Sequence, residues 1–129
     1  MTEENIRRVN SSFTEEIQVL SLKGRITYDF IDGYKIELKG IIEDAGGYII
    51  DLTKVEQIDS TGLGLLVNVA KNFIFNKNKM VILNKDDWIN ELFNVSKLNQ
   101  VFNVCSTMEE ALKTVTLEDD TYWNKVTSY

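Results

Sequence analysis

The chain has 129 residues, 43% of them hydrophobic and 26% charged, with a formal net charge of −6. That length suits one domain with a core that needs no disulfide or metal staple, and an acidic surface without a basic stripe argues against nucleic acid or anionic membrane as main partners. Histidine and proline are absent and Cys105 is the single cysteine, so no internal disulfide exists, which fits a reducing compartment. The opening MTEENIRRVNSS lacks the apolar run of a secretory signal, and no apolar stretch approaches the ~20 residues that span a bilayer. The expected location is the cytoplasm.

Residues 6–13, IRRVNSSF, read as an antiparallel partner for the strand that follows. That strand is IQVLSLKG, 17–24, in which Ile17, Val19 and Ser21 alternate with Gln18, Leu20 and Leu22 before Gly24. Over 28–44, Ile31, Tyr34, Leu38, Ile41 and Ile42 fall at helical spacing, and Gly46–Gly47 ends the run. Gly33 and Gly40 each cost about 1 kcal/mol of helix propensity there, so packing has to hold this helix. GYIIDL, 47–52, is short and almost uniformly apolar, the pattern of a central strand covered on at least one face. Residues 60–77 read as a helix and KMVILN, 79–84, as a strand. DDWINELFNV, 86–95, is a helix opened by Asp86 or Asp87, whose carboxylate can accept from free backbone N–H groups. NQVFNVC, 99–105, is a short extended segment. STMEEALKTV, 106–115, opens with the elements of a capping box, Ser106 or Thr107 with Glu109 or Glu110. Strands alternating with helices in this order predict an α/β domain with a largely parallel sheet.

The helix after Ser60 carries more apolar surface than a sheet requires. Stepping about 100° per residue, Leu63, Leu65, Leu66, Val67, Val69, Ala70, Phe73 and Ile74 fill an arc of roughly 200°, against the ~100° that packing on one layer uses. Either neighbouring helices bury the surplus or it forms an apolar flank open to a partner.

At the start of that helix stands VEQIDSTGLGLL, 55–66, with the hydroxyls of Ser60 and Thr61 ahead of Gly62 and Gly64. A serine nucleophile needs a base, usually histidine, and the chain has none. Lys54 is six residues from Ser60 on an expected loop, and no Ser-x-x-Lys spacing offers the alternative base. The stretch fails as a phosphate loop for want of the Gly-Lys-Ser/Thr ending, and as a dinucleotide fingerprint because position 67 is valine. Without histidine and with one cysteine, zinc is improbable. A phosphoaspartate receiver at Asp59 lacks the acidic pair expected near the end of an early strand. Asp59, Ser60 and Thr61 are all good helix N-cap residues, and the two glycines would allow close packing of the helix on the sheet.

YIIDLTKVEQIDSTGLGLLV closely resembles the signature of the STAS domain family, the bacterial anti-sigma factor antagonists. The matching positions are Asp51, Leu52 and Thr53, then Asp59, Ser60, Thr61, Gly62, Leu63 and Gly64, and the closing MVILN and ELFNVSKLNQVFNVCSTMEEAL follow the same pattern. The likeness runs over about residues 15–115. It implies a single STAS-type α/β domain over 1–116, a mixed, mostly parallel sheet of four to five strands with about four helices, and a C-terminal extension over 117–129.

The resemblance further implies that Ser60 is a phosphorylation site and that Asp59, Ser60, Thr61, Gly62, Leu63, Gly64 and Leu65 bind the partner. The partner would be an anti-sigma factor with serine kinase activity, and a metal-dependent serine phosphatase would restore Ser60. Such a protein has no catalysis, cofactor or metal of its own, and is expected as a monomer or weak homodimer. The alternative within the family is a scaffold or accessory subunit of a stress-signalling or lipid-transport complex. Three places depart from the pattern. Arg25, Ile26 and Thr27 follow Gly24 where an acidic-Leu-Asp stretch is common, Lys85 replaces a common proline, and the tail with Tyr122, Trp123 and Tyr129 lies beyond the match.

Overall fold

The computed structural model describes residues 8–72 and 79–116. Within them the elements run β1 (Val9–Thr14), β2 (Ile17–Ile26), α1 (Ile31–Ile41), β3 (Gly47–Ile58), α2 (Ser60–Asn72), β4 (Lys79–Leu83), α3 (Asp87–Val95), β5 (Asn103–Cys105) and α4 (Met108–Thr116). The sheet is five-stranded in the order β1-β2-β3-β4-β5. β1 and β2 form an antiparallel hairpin closed by Thr14 opposite Ile17, and the other neighbours are parallel. Each parallel connection includes a helix, as the geometry of a crossover requires. The α/β architecture expected from the alternating pattern is the one observed.

Because strand side chains alternate between faces, β2, β3 and β4 each feed two cores. Leu20, Leu22, Tyr48, Ile50 and Ile82 pack with α1, α2 and α3 through Tyr34, Leu38, Leu66, Val69 and Phe93. Ile17, Val19, Ile49, Val81 and Leu83 pack with Ala111 and Val115 of α4 on the other face. Burial on both faces explains why GYIIDL and MVIL are apolar without alternation.

Two buried amides lock the loops. Gln18 Nε2 donates to Ser11 Oγ at 2.9 Å and to the Ile41 carbonyl at 2.8 Å, while its Oε1 accepts from Glu43 N at 3.0 Å. Asn84 Nδ2 donates to the Asp86 carbonyl and to Asn90 Oδ1, holding the turn into α3 where Lys85 stands exposed. These bonds satisfy polar groups that burial would otherwise leave costly. Cys105 is also buried, 3.6 Å from Thr114 Oγ1, and burial, reinforced by the Glu110 side chain, pushes its thiol pKa up.

Several boundaries differ from the sequence reading, each for a local reason. β3 continues to Ile58 rather than ending near Leu52, so Lys54 sits in a strand and not on a loop. Its second half pairs with Lys23–Ile26 across two register shifts, which scramble the alternation that would have revealed it. Gly24, at φ 86°, supplies the left-handed backbone at one of these shifts, inside β2 rather than at its end. Residues 28–30 form a single 3-10 turn ahead of α1, and Ile42 is already extended. Extended structure before α4 shrinks to Asn103–Cys105, preceded by a 3-10 turn at Leu98–Gln100. The expected helix end at 73–77, the start of the first strand at 6–7 and the whole extension 117–129, with Tyr122, Trp123 and Tyr129, lie outside the described residues.

Of the two candidate caps for α3, the structure selects Asp86, whose Oδ1 accepts from Ile89 N at 2.9 Å. Asp86→Ala is expected to lower stability by about 1 kcal/mol, read as a lower urea midpoint with an unchanged slope. For α4, Thr107 rather than Ser106 accepts from Glu110 N, at 3.1 Å. The Glu110 side chain, in turn, lies beside Cys105.

Candidate functional site

β3 delivers the chain to the start of α2 through one residue, Asp59. Its Oδ1 accepts from Gly62 N at 2.9 Å and its carbonyl from Leu63 N at 2.9 Å, which makes it the N-cap. Its Oδ2 accepts from Tyr28 N at 3.0 Å, and its own N–H reaches the Ile26 carbonyl at 3.4 Å. Asp59 therefore closes the helix and ties it to the turn after β2. The other acid of the motif is equally committed. Asp51 Oδ1 accepts from Thr53 N and Oγ1 at 2.8 and 2.7 Å, and Oδ2 from Ser21 Oγ at 3.1 Å.

With Asp59 capping, Ser60 becomes the first residue of α2 and Thr61 the second. Ser60 is exposed, Thr61 half-buried, and the Ser60 hydroxyl has no hydrogen-bond partner among the described residues. First-turn N–H groups have no partner within a helix, and Asp59 takes only that of Gly62. The free hydroxyl thus stands at the positive end of the helix dipole, where an added anion is favoured.

The two glycines do different work. A Cβ on Gly62 would lie 2.2 Å from the Ile26 carbonyl oxygen and 2.6 Å from Ile58 Cγ1. The helix start is seated on the ends of β2 and β3 so closely that only glycine fits. A Cβ on Gly64 would meet nothing within 4 Å. Gly64 is exposed one turn from Ser60, on the stripe that continues to Asn68. It leaves bare backbone beside the hydroxyl. Gly64→Ala is expected to raise stability by up to about 1 kcal/mol through helix propensity alone, and a lower urea midpoint would show that Gly64 has a packing role after all.

Of the residues expected to bind a partner, Ser60 and Gly64 are exposed and Asp59 and Thr61 half-buried. Gly62, Leu63 and Leu65 belong to the interior. Leu65, 2% exposed, lines the groove between α1 and α2 with Lys35, Ile36 and Lys39. Leu66 and Val69 are buried, and Val67 and Ala70 pack half-buried against the same core. Neighbouring elements thus cover the apolar arc over its described length, whereas Phe73 and Ile74 lie outside the described residues.

The open apolar surface beside Ser60 comes instead from the turn after β2. Tyr28 is 75% exposed and Phe30 40%, and the Tyr28 backbone is bonded to Asp59. The sequence reading absorbed both into the following helix. Phe30 stands four residues before Tyr34 and eight before Leu38, so helical spacing alone could not exclude it from that helix.

No cluster of three or more His, Cys, Asp or Glu that could hold a metal exists among the described residues. No described helix is long and apolar enough to cross a membrane. A sequentially ordered five-stranded sheet with a hydroxyl presented on the first residue of the helix after β3 defines a small α/β domain of one recognisable kind. The STAS domain model matches residues 8–111, and the chain belongs to the STAS domain family.

Solved structures share the fold. An anti-sigma factor antagonist from Mycobacterium paratuberculosis aligns with a TM-score of 0.77 at 18% identity, over 83% of this chain and 92% of its own. An anti-sigma-factor antagonist (STAS) domain protein from Planctomyces limnophilus aligns with 0.73 at 19%, over 86% and 99%. The Bacillus cell fate determinant SpoIIAA in its phosphorylated form aligns with 0.59 at 20%, over 83% and 98%. At these identities the likeness is one of fold.

Proposed function

We propose that this protein is a phosphorylation-regulated anti-sigma factor antagonist, with Ser60 as the acceptor. Unphosphorylated, it captures an anti-sigma factor that is also a serine kinase, and a sigma factor is released. A serine phosphatase resets it. The observation that carries this reading is the exposed, uncommitted Ser60 hydroxyl on the first residue of α2, with capping delegated to Asp59. A hydroxyl that is another protein's substrate needs no base of its own, in keeping with a chain without histidine. A structure named as an anti-sigma factor antagonist and that of SpoIIAA in a phosphorylated form share this fold and support the assignment.

Phosphate adds about −1.5 to −2 charges at neutral pH. At a helix N-terminus that charge meets free N–H groups and the favourable end of the dipole, so the domain stays folded. The cost falls on the complex. A dianion next to Asp59, on a rim with Tyr28 and Phe30, must lose water or meet repulsion when a surface closes over it. A penalty of about 3–4 kcal/mol corresponds to a several-hundred-fold loss of affinity, enough for a switch without refolding.

The test is co-purification from the native cell followed by phosphosite mass spectrometry. Trypsin releases residues 55–71 as one peptide whose only hydroxyls are Ser60 and Thr61. A serine-kinase-like partner with phosphate on Ser60 is expected, and Ser60→Ala should retain the partner and take no phosphate. A partner recovered in quantity while this peptide stays unmodified under every growth condition rejects the switch.

A further inference from the structure

Between α1 and α2 runs an open groove of about 350 Å³, lined by Lys35, Ile36 and Lys39 on one side and by Leu65, Asn68 and Asn72 on the other. Its character is both apolar and basic. Ile36 is 74% exposed, an aliphatic side chain standing in water. Lys35 and Lys39, one turn apart, flank it, and neither bonds a carboxylate among the described residues. In a chain of net charge −6, such a groove suits an occupant that is acidic and apolar together.

Residues 117–129 have that composition. Glu118–Asp120 is the one run of three consecutive acids in the sequence, and Tyr122 and Trp123 follow it directly after Thr121. We propose that this segment docks in cis in the groove between α1 and α2, its carboxylates on Lys35 and Lys39 and an aromatic ring against Ile36.

α4 delivers the chain to the mouth of that groove. Thr116, its last residue, borders a cavity with Ile17, Gly46 and Lys79, at the margin where β2, β3 and β4 begin. α1 and α2 run back between parallel strands and finish at the same margin, with Lys39 in the last turn of one and Asn72 closing the other. The route rounds one end of the sheet, from the face of α4 to the face of α1 and α2. Residues 117–129 extend to about 40 Å, several times the roughly 10 Å between packed layers. The order agrees as well, since the acids come first and meet Lys39 at the mouth, and the aromatics come next and meet Ile36 further in. The cavities at the exit of α4 mix Lys79 and Lys113 with Glu15, Glu16 and Glu109, so they carry no positive surplus to hold three carboxylates. A short tether supplies an effective concentration of order millimolar, so contacts too weak to hold a free peptide suffice in cis. The docked segment covers the second half of α2 and leaves Ser60 open, about two turns before Asn68 on the same stripe. A partner that grips α2 beyond those turns has to displace it, whereas docking itself is independent of phosphorylation at Ser60.

Trp123 is the probe, because the chain has two tryptophans and Trp88→Phe leaves it the sole emitter. In that full-length background its fluorescence should be blue-shifted, and shielded from acrylamide, relative to a synthetic peptide of residues 117–129. Lys35→Glu combined with Lys39→Glu, both exposed, should move it to the values of the peptide while the circular dichroism spectrum stays unchanged. Reversing the acids alone, by Glu118→Lys, Asp119→Lys and Asp120→Lys, should do the same without touching the groove. Combining the two reversals should restore the shift. Lys113→Glu, at the exit of α4, should leave it unchanged. Docking in cis is also independent of protein concentration from about 1 to about 100 µM, well below the millimolar effective concentration. Emission equal to that of the peptide in the unreversed chain, a shift that survives either reversal or is lost in Lys113→Glu, failure of the combined reversal to restore it, or a shift that grows with concentration, as a second copy would give, would each overturn the proposal.

Discussion

Ser60→Asp is expected to weaken capture of the proposed anti-sigma partner by at least about tenfold, roughly 1.4 kcal/mol, while the fold is kept or slightly stabilised. Both halves follow from position. Ser60 is exposed on the first residue of α2, where its hydroxyl bonds nothing among the described residues, so exchanging it breaks no contact. A carboxylate in the first turn interacts favourably with the helix dipole, by about 0.3–1 kcal/mol. The same charge lies next to Asp59 on the surface a partner would cover, where two anions need compensation that a site shaped for a neutral hydroxyl does not supply. Phosphoserine carries up to about twice that charge, which is why a several-hundred-fold effect is expected for it. Titration calorimetry with the recovered partner, alongside urea unfolding, separates the two halves. Binding as tight as the wild type's would remove the switch, whatever modification is later found on the loop.

Gly62→Ala is expected to destabilise the domain by about 3 kcal/mol or more, a drop of roughly 10 °C in melting temperature. Alanine gains about 1 kcal/mol of helix propensity over glycine, so the clash has to exceed that gain. It does, because the nearest atom to the new methyl is the Ile26 backbone oxygen at 2.2 Å, not the end of a mobile side chain. The start of α2 would have to lift off β2, breaking the Asp59 N to Ile26 carbonyl contact and straining the Asp59–Tyr28 bond. Ser60 would move with it, and partner binding should fall beyond what the loss of folded protein explains. Two substitutions of glycine by alanine, two residues apart in one helix, thus have opposite expected signs. If Gly62→Ala unfolds no earlier than the parent, the close seating of α2 on β2 is wrong.

How much could be read in advance depended on the kind of order each residue takes part in. The strand over 17–24 and the helix over 86–95 were legible because alternation and helical spacing are local patterns that burial on one or two faces writes directly into the chain. The second half of β3 was not legible. Its residues pair with Lys23–Ile26 through two register shifts, and a shifted ladder leaves Val55 and Ile58 inward three residues apart, which breaks the two-residue alternation of a strand. Tyr28 and Phe30 were folded into a helix they only precede.

The site divided in the same way. The block Asp59 to Gly64 stood out as a helix start carrying hydroxyls, and residues 55–66 sufficed for that. Which of three cap-competent residues would cap was open, since Asp, Ser and Thr can all accept from a first-turn N–H. The choice was made by Tyr28, 31 positions away in the chain, whose N–H takes the second oxygen of a carboxylate. A hydroxyl at the cap would have had no such second acceptor oxygen to lend.

By itself, then, the sequence determined the α/β class, the order of elements, the absence of histidine and the segment that carries the candidate phosphosite. These depend on composition, on periodicity and on neighbours within one turn of helix. Only the tertiary structure decided that Asp59 is occupied while the Ser60 hydroxyl has no partner among the described residues, that Gly62 is required and Gly64 is not, and that the apolar arc of α2 is covered over its described length. Each of those is set by atoms brought from a distant strand or turn, and a contact between distant segments leaves no period in the chain from which to read it.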